Sequence, residues 1–224
     1  NINASRFFSK QSKTIGFLIP PHEPLVDDNL ARGMSAIYDT LNKNSYRMLP
    51  ITMDEKFLND QEYLNLFKRS EIDALIIWGA LENFSWIDEL KKNRMPFVLL
   101  TNRYKDYPSV YCDDSAIGDL VEHCRTKGAK SFVYVKISSG DCCLRRRGEF
   151  LKHAPDGKLL DGGSKIEDGK RIAAEIIEVK PDAVICGNDR VAIGLEKALL
   201  AAGFKIPQDI MITGADNIEL AEYC

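Results

Sequence analysis

Long apolar runs and a one-sided charge are both missing from this sequence. Its 224 residues carry a net charge of -3, with 45% hydrophobic and 28% charged residues, as in ordinary globular proteins. No apolar run approaches the roughly 20 residues of a membrane-spanning helix. The first ten residues, NINASRFFSK, contain no signal-peptide core. These features argue against a membrane protein and against nucleic-acid binding along the whole chain.

Sequence signatures of catalysis and of metal binding are missing as well. The chain has no GxSxG or GxxxxGKS motif, and no GxGxxG follows the first apolar run. Its three histidines lie far apart, and its six cysteines include no CxxC pair, so neither a zinc site nor a disulfide framework is predicted. We therefore expect no enzymatic activity, no metal and no cofactor.

The sequence contains instead a repeated alternation of apolar runs and amphipathic segments. Strands are predicted at 14–20, 46–52, 74–78 and 97–100, and again at 131–137, 158–160, 183–186 and 210–213. Helices are predicted between them, including 59–68, 84–92, 115–127, 146–153 and 168–179. Strands separated by single helices form parallel sheets covered on both faces. The prediction is an α/β protein with two halves joined near residue 113.

The stretch 180–217 contains the clearest such unit. An apolar run at 183–186 ends in Gly187-Asn188-Asp189, a helical pattern follows, and a second run at 210–213 ends in Gly214-Ala215-Asp216-Asn217. Small ligands bind at the carboxyl ends of neighbouring parallel strands. We expect Asp189 to cap the helix and Asn188 to contact the ligand, although either residue suits the cap.

Polar and aromatic residues follow the other predicted strands too, and these groups suit a hydroxylated or heteroaromatic ligand. Each has a structural alternative. Trp78 suits a hydrophobic core, the arginines at 145–147 suit a solvated surface, and Asp216 suits a turn. The candidates are Pro24 to Val26, Trp78, Asn102, Arg103, Asp141, Arg145, Asn188 and Asp216.

Several of these segments together resemble the effector-binding core of the LacI/GalR (lac repressor-type) transcription regulators. SKTIGFLIP is similar to the first strand of that family, and FVLLTNR to its fourth. YCDDSAIGDLVEHCRTKGAKSFVYV resembles the aspartate, helix and turn that follow. RRRGEF is similar to the Arg-x-x-Gly-Phe motif with one residue inserted, and the segment from PDAVICGNDR to GADN follows the family pattern almost throughout.

The resemblance implies a type I periplasmic-binding-protein-like fold, with two Rossmann-like subdomains at 13–112 and 113–224. It implies that Arg145, Asn188 and Asp216 form a polar clamp on an effector. Trp78 and Asn102 would contribute from the first subdomain, with Val26 and Arg103 nearby. The implied function is a cytoplasmic, homodimeric repressor that responds to a sugar, a sugar phosphate or, as an alternative, a purine. A sugar-binding transport or sensor protein of the same fold is the competing interpretation.

The same resemblance predicts a role for residues 1–12. NINASRFF is similar to the end of the hinge helix that such repressors insert into the DNA minor groove, which makes Arg6 and Phe8 candidate DNA contacts. Operator DNA would be read by a helix-turn-helix that precedes residue 1. We accordingly expect a chain truncated at both ends, with an incomplete second subdomain.

Overall fold

The computed structural model describes residues 11–21, 28–79, 84–137 and 141–224, without the side chain of Asp141. The predicted contacts Arg6, Phe8 and Val26 lie outside the described residues, as do the candidates Pro24 and Leu25. The chain divides into two compact units, one reaching Cys112 and the other spanning Asp113–Cys224. Each unit is built on its own parallel sheet.

The sheet of the first unit has five strands in the order β2-β1-β3-β4-β5. Their bounds are β1 Thr14–Ile19, β2 Arg47–Thr52, β3 Ala74–Trp78, β4 Phe97–Leu100 and β5 Ser109–Val110. All neighbouring pairs are parallel. Strand β2 lies at the edge of the sheet and is largely exposed. It contains Pro50, and proline is expected on an edge strand because it has no backbone N–H to donate to a neighbouring strand.

The first sheet has a hydrophobic core on each face because alternate residues of β1 point in opposite directions. Leu18 packs in one core with Leu75, whereas Phe17 packs in the other with Trp78. In the described ranges of this unit, the helices are α1 Asp28–Lys43, α2 Glu55–Asn59, α3 Glu62–Lys68 and α4 Ser85–Lys92. The single helix predicted at 59–68 is wrong: Gln61, with φ of 51°, separates two short helices.

The sheet of the second unit has four parallel strands in the order β7-β6-β8-β9. Their bounds are β6 Phe132–Lys136, β7 Lys158–Asp161, β8 Ala183–Cys186 and β9 Met211–Thr213. The four residues of β8 are all buried, which is why this strand reads as an unbroken apolar run.

Two helices cover each face of the second sheet. They are α5 Ala116–Thr126, α6 Asp141–His153, α7 Ile166–Val179 and α8 Asp189–Ala201, and a 3-10 helix follows at Glu219–Tyr223. Val133 and Val184 pack against the α7 and α8 side, whereas Tyr134 and Ile185 pack with Phe150 on the other. Helix α6 begins five residues before the predicted start at residue 146.

Helices α7 and α8 meet through two glycines. A Cβ atom on Gly169 would lie 2.1 Å from the carbonyl oxygen of Val191, and one on Gly194 would lie 1.9 Å from that of Ile166. Both distances are far below van der Waals contact. The close approach of the two helix backbones therefore requires glycine at both positions.

Within the described ranges, no helix is both long enough and apolar enough to cross a bilayer.

Candidate functional site

The strand order of the second sheet places its switch point between β6 and β8. The chain leaves β6 toward β7 on one side, and it leaves β8 toward β9 on the other. In open α/β sheets, the carboxyl ends of the two strands beside such a point form the usual binding crevice. Gly187 and Asn188 follow β8 directly, and the side chains around them form the candidate site.

Arg146 of α6 contacts three other residues at this edge of the sheet. Its Nη1 donates to the carbonyl oxygen of Gly187 at 2.7 Å, and its Nη2 donates to Oδ1 of Asp216 at 3.0 Å. Its Nε lies 3.3 Å from Oδ1 of Asp114. The side chain is only 14% exposed, so these charge-assisted contacts are screened less than surface ion pairs.

Arg145, the arginine chosen from the Arg-x-x-Gly register, has a different main contact. Its Nε donates to Oδ2 of Asp114 at 2.6 Å, and both side chains of this pair are nearly buried. Asp114 precedes α5 and thus accepts from two consecutive arginines of α6. Sequence reasoning missed both Asp114 and Arg146 as members of the site.

Asp216 is placed at the edge by an unusual backbone conformation. It has φ of 108° and the following Asn217 has φ of 51°, and two successive positive φ values are costly for residues other than glycine. Strained backbone at a loop end is common where a side chain must be aimed. The loop after β9 presents the Asp216 carboxylate to Arg146 in this way.

The helix α8 is capped by Asn188 and not, as predicted, by Asp189. Asn188 is the helix N-cap, because its Oδ1 accepts from the backbone N–H of Val191 at 2.9 Å. Its Nδ2 also donates to the carbonyl oxygen of Ser164 at 3.1 Å. An amide nitrogen carries two hydrogens, and the contact with Ser164 uses one of them.

Asp189 instead ties the loop after β9 to the start of α8. Its backbone N–H donates to the carbonyl oxygen of Ala215 at 2.8 Å, and its carboxylate accepts from the N–H of Ile218 at 2.9 Å. Burial raises the pKa of Asp189 above its ordinary value, although backbone N–H groups act in the opposite direction. Asp189 therefore positions the segment that carries Asp216.

In the first unit, Asn102 is the most unusual residue beyond a strand end. It follows β4 after Thr101, which has φ of 72°, and it is only 1% exposed. Neither Nδ2 nor Oδ1 has a hydrogen-bond partner within the described part of the chain. A buried amide without a partner costs about 1–3 kcal/mol, so its presence calls for an explanation.

The other two candidates of the first unit lie in simpler environments. Trp78 is 8% exposed and belongs to the core with Phe17 and Leu30. A Cβ on Gly33 of α1 would lie 2.6 Å from the indole ring, so α1 packs directly on the tryptophan. The structure thus places Trp78 in the core, the alternative that the sequence left open. Arg103 is exposed, with its guanidinium 4.7 Å from the ring centre of Tyr111.

Among the residues that the structure describes, no three His, Cys, Asp or Glu side chains are grouped to hold a metal ion. The arrangement in the second unit is one of hydrogen-bond donors and acceptors. It can bind and orient a polar molecule.

Comparisons with known proteins agree with this fold. The sequence model for periplasmic binding proteins and the sugar binding domain of the LacI family matches residues 12–219. Catabolite control protein A of Staphylococcus xylosus is 28% identical over 233 residues, which cover 99% of this chain and 70% of the relative. The ribose operon repressor of Bacillus subtilis is 29% identical, with coverage of 96% and 67%.

A solved structure supports the same grouping. The LacI family transcriptional regulator from Enterococcus faecium, crystallised with bound ribose, superposes with a TM-score of 0.77 at 28% identity. The match covers 94% of this chain and 80% of that one.

Proposed function

Because this chain belongs to the family of periplasmic binding proteins and LacI-family sugar-binding domains, we propose that it senses a polyhydroxylated small molecule for a transcriptional regulator. The ligand class is a sugar or sugar phosphate. The observation that carries the proposal is the edge formed by Arg146, Asn188 and Asp216 at the switch point of the second sheet. Its guanidinium, amide and carboxylate are the groups that read hydroxyls.

The regulatory part of the proposal rests on the relatives. A catabolite control protein and a ribose operon repressor align with nearly the whole chain. We infer a cytoplasmic homodimer that binds operator DNA through a helix-turn-helix outside this sequence, and that represses transcription. Ligand binding would alter DNA affinity by favouring one of two conformations, which requires different affinities for the ligand in the two states.

Within the second unit, the sequence-predicted contacts Asn188 and Asp216 are retained as ligand contacts. Arg146 is added because it lies between Gly187 and Asp216. Arg145, the arginine implied by the family motif, is also retained as a proposed contact. Its guanidinium is positioned by the hydrogen bond from Nε to Asp114. Asp114 thus holds two adjacent arginines in fixed positions, and ordered guanidinium groups suit hydrogen bonding to a polar ligand.

Within the first unit, the proposed ligand contacts are Asn102 and, at the exposed margin, Arg103. Asn102 is the stronger candidate because its buried amide has both a donor and an acceptor to offer. Trp78 would support this edge by packing beneath it rather than by stacking on the ligand. Val26 is kept as a proposed contact on the resemblance alone.

The ligand class can be tested by thermal shift with ribose, other sugars, sugar phosphates and nucleobases, followed by calorimetry on the best ligand. We expect a sugar or sugar phosphate to raise the melting temperature through preferential binding to the folded state. Shifts from nucleobases alone would contradict the proposed class.

The regulatory role fails if the full-length protein shows no sequence-specific, ligand-sensitive DNA binding, an outcome that would favour a transport or sensor protein of this fold.

Asn102→Leu should separate ligand binding from stability. The leucine has a similar size and removes the buried amide, so the ligand-free protein should be as stable as the original or more stable. Loss of two ligand hydrogen bonds should weaken binding by about 2 kcal/mol, which is roughly a 30-fold rise in Kd. Calorimetry and chemical denaturation measure the two effects.

The matched control for this change is Asn93→Leu. Asn93 is exposed at the end of α4, where its amide bonds the carbonyl oxygen of Glu89. This variant should keep the original Kd. Equal ligand affinities of the Asn102→Leu and Asn93→Leu proteins would show that Asn102 is not a ligand contact.

A further inference from the structure

Two adjacent cysteines lie in the first turn of α6, and the proposed ligand-binding role makes no use of them. The Sγ atoms of Cys142 and Cys143 are 3.7 Å apart, and both residues are partly exposed. Successive side chains on a helix point about 100° apart, so this contact requires both side chains to turn toward one another. By contrast, Cys124 and Cys186 are buried.

The surroundings favour ionisation of one of these two thiols. The first turn of a helix is electropositive, which stabilises a thiolate. Arg146 lies four residues after Cys142, on the same face of the helix. A hydrogen bond from Cys143 lowers the pKa of Cys142 to about 7, and Arg146 assists this shift, whereas burial and the carboxylates of Asp114 and Asp216 oppose it. The same hydrogen bond, together with burial, raises the pKa of Cys143.

We propose that Cys142 and Cys143 form a thiol-modification site that reacts with low-molecular-weight disulfides. Cys142 is the attacking thiolate, and Cys143 is the resolving thiol. The proposal stands on the contact between the two sulfur atoms, their partial exposure and their place beside Arg146 at the start of a helix. A nucleophilic cysteine beside a resolving one is the arrangement found at redox-sensing sites.

The chemistry has two balanced steps. The Cys142 thiolate attacks one sulfur of the small disulfide, the S–S bond breaks, and the first small thiolate leaves and takes up a proton from water. Cys143 then loses its proton, its sulfur attacks the Cys142 sulfur of the mixed disulfide, and the second small thiolate leaves with that proton. The two protein thiols are oxidised to one disulfide, and the small disulfide is reduced to two thiols.

The product should be easily reversed. Neighbouring Cα atoms across a trans peptide are about 3.8 Å apart, whereas disulfide-linked Cα atoms are usually about 4.4–6.8 Å apart. A bond between adjacent cysteines is therefore strained and is readily reduced by small thiols. Since Arg145 and Arg146 follow in the next turn of α6, the modification also alters the helix that carries the proposed ligand contacts.

Oxidised glutathione tests the proposal on the intact chain, with mass spectrometry and peptide mapping as the readout. The original protein should lose two hydrogen atoms and retain no glutathione on this pair. Cys143→Ala should retain one glutathione on Cys142, because no resolving thiol follows. Cys142→Ala should react at position 143 at most about one tenth as fast, because burial still raises the pKa of that thiol after the Cys142 hydrogen bond is lost. The double change Cys112→Ser and Cys224→Ser, at the two exposed cysteines, should leave the reaction unchanged.

A pH profile provides a second readout that a purely structural pair would not produce. Alkylation of Cys142 should follow a midpoint near pH 7, and this midpoint should rise in Cys143→Ala because the hydrogen-bond donor is gone. Circular dichroism would check that each variant is folded. The proposal is overturned if Cys142→Ala reacts at the original rate, or if Cys143→Ala leaves both the adduct and the midpoint unchanged.

Discussion

Replacing Arg146 with methionine is expected to lower the free energy of unfolding by about 3 kcal/mol. Methionine keeps much of the side-chain volume but removes the donors to the Gly187 carbonyl and to Asp216. Removing one partner of a nearly buried ion pair is costly because the other charge stays in a poorly solvated place. Chemical denaturation, with an unchanged slope on denaturant concentration, would report the loss.

The control for this variant is Arg147→Met, the next residue of the same helix. It removes one positive charge without touching the contacts of Arg146, so a change below about 0.5 kcal/mol is expected. A double-mutant cycle with Asp216→Asn should give a coupling energy of about 1–3 kcal/mol for the Arg146 and Asp216 pair. Equal losses of stability in Arg146→Met and Arg147→Met would contradict a stabilising role of the Arg146 contacts.

The second large effect is expected at Gly194, where alanine should destabilise the protein by about 3 kcal/mol. Alanine improves intrinsic helix propensity by about 1 kcal/mol. Its Cβ, however, would lie 1.9 Å from the carbonyl oxygen of Ile166, and backbone cannot rotate away as a side chain can. The steric effect should outweigh the gain in propensity, and thermal or chemical unfolding would measure the net result.

Gly148→Ala is the matched control, because a Cβ on this glycine of α6 would have no neighbouring atom within 4 Å. Here only the propensity changes, so we expect stabilisation by about 0.5–1 kcal/mol. Opposite signs at the two helical glycines would support close backbone packing between α7 and α8. Stabilisation at both positions would contradict it.

Apolar patterning in the sequence is sufficient to predict most of the fold. The run at 183–186 coincides with β8, because a strand buried on both faces needs apolar residues at every position. The prediction fails where the backbone conformation of a single residue separates two helices. Gln61 interrupts a continuous helical pattern through a left-handed conformation, and nothing in its side chain indicates this, since the conformation is favoured in glycine and asparagine rather than glutamine.

The site is predicted less completely than the fold. Strand ends locate Asn102, Asn188 and Asp216 correctly as edge residues, because polar groups stand out after apolar runs. Three consecutive arginines give no indication of which one faces Asp216, since a small rotation of α6 would exchange their roles. The contacts of Asp114 with Arg145 and Arg146 join residues about 30 positions apart, and local periodicity contains no information about such pairs.

The ligand contact proposed for Asn188 would limit how this protein can evolve toward another ligand, because the same side chain caps α8. Its Oδ1 caps α8 while its Nδ2 donates to the carbonyl oxygen of Ser164 in the neighbouring loop. Aspartate, serine or threonine could replace the cap, but none of them offers an amide N–H. Most other residues would also forfeit about 1 kcal/mol of cap stability. With the proposed site, a change of ligand preference would therefore be more accessible through the neighbouring edge residues than through position 188, where one side chain would serve both ligand binding and folding.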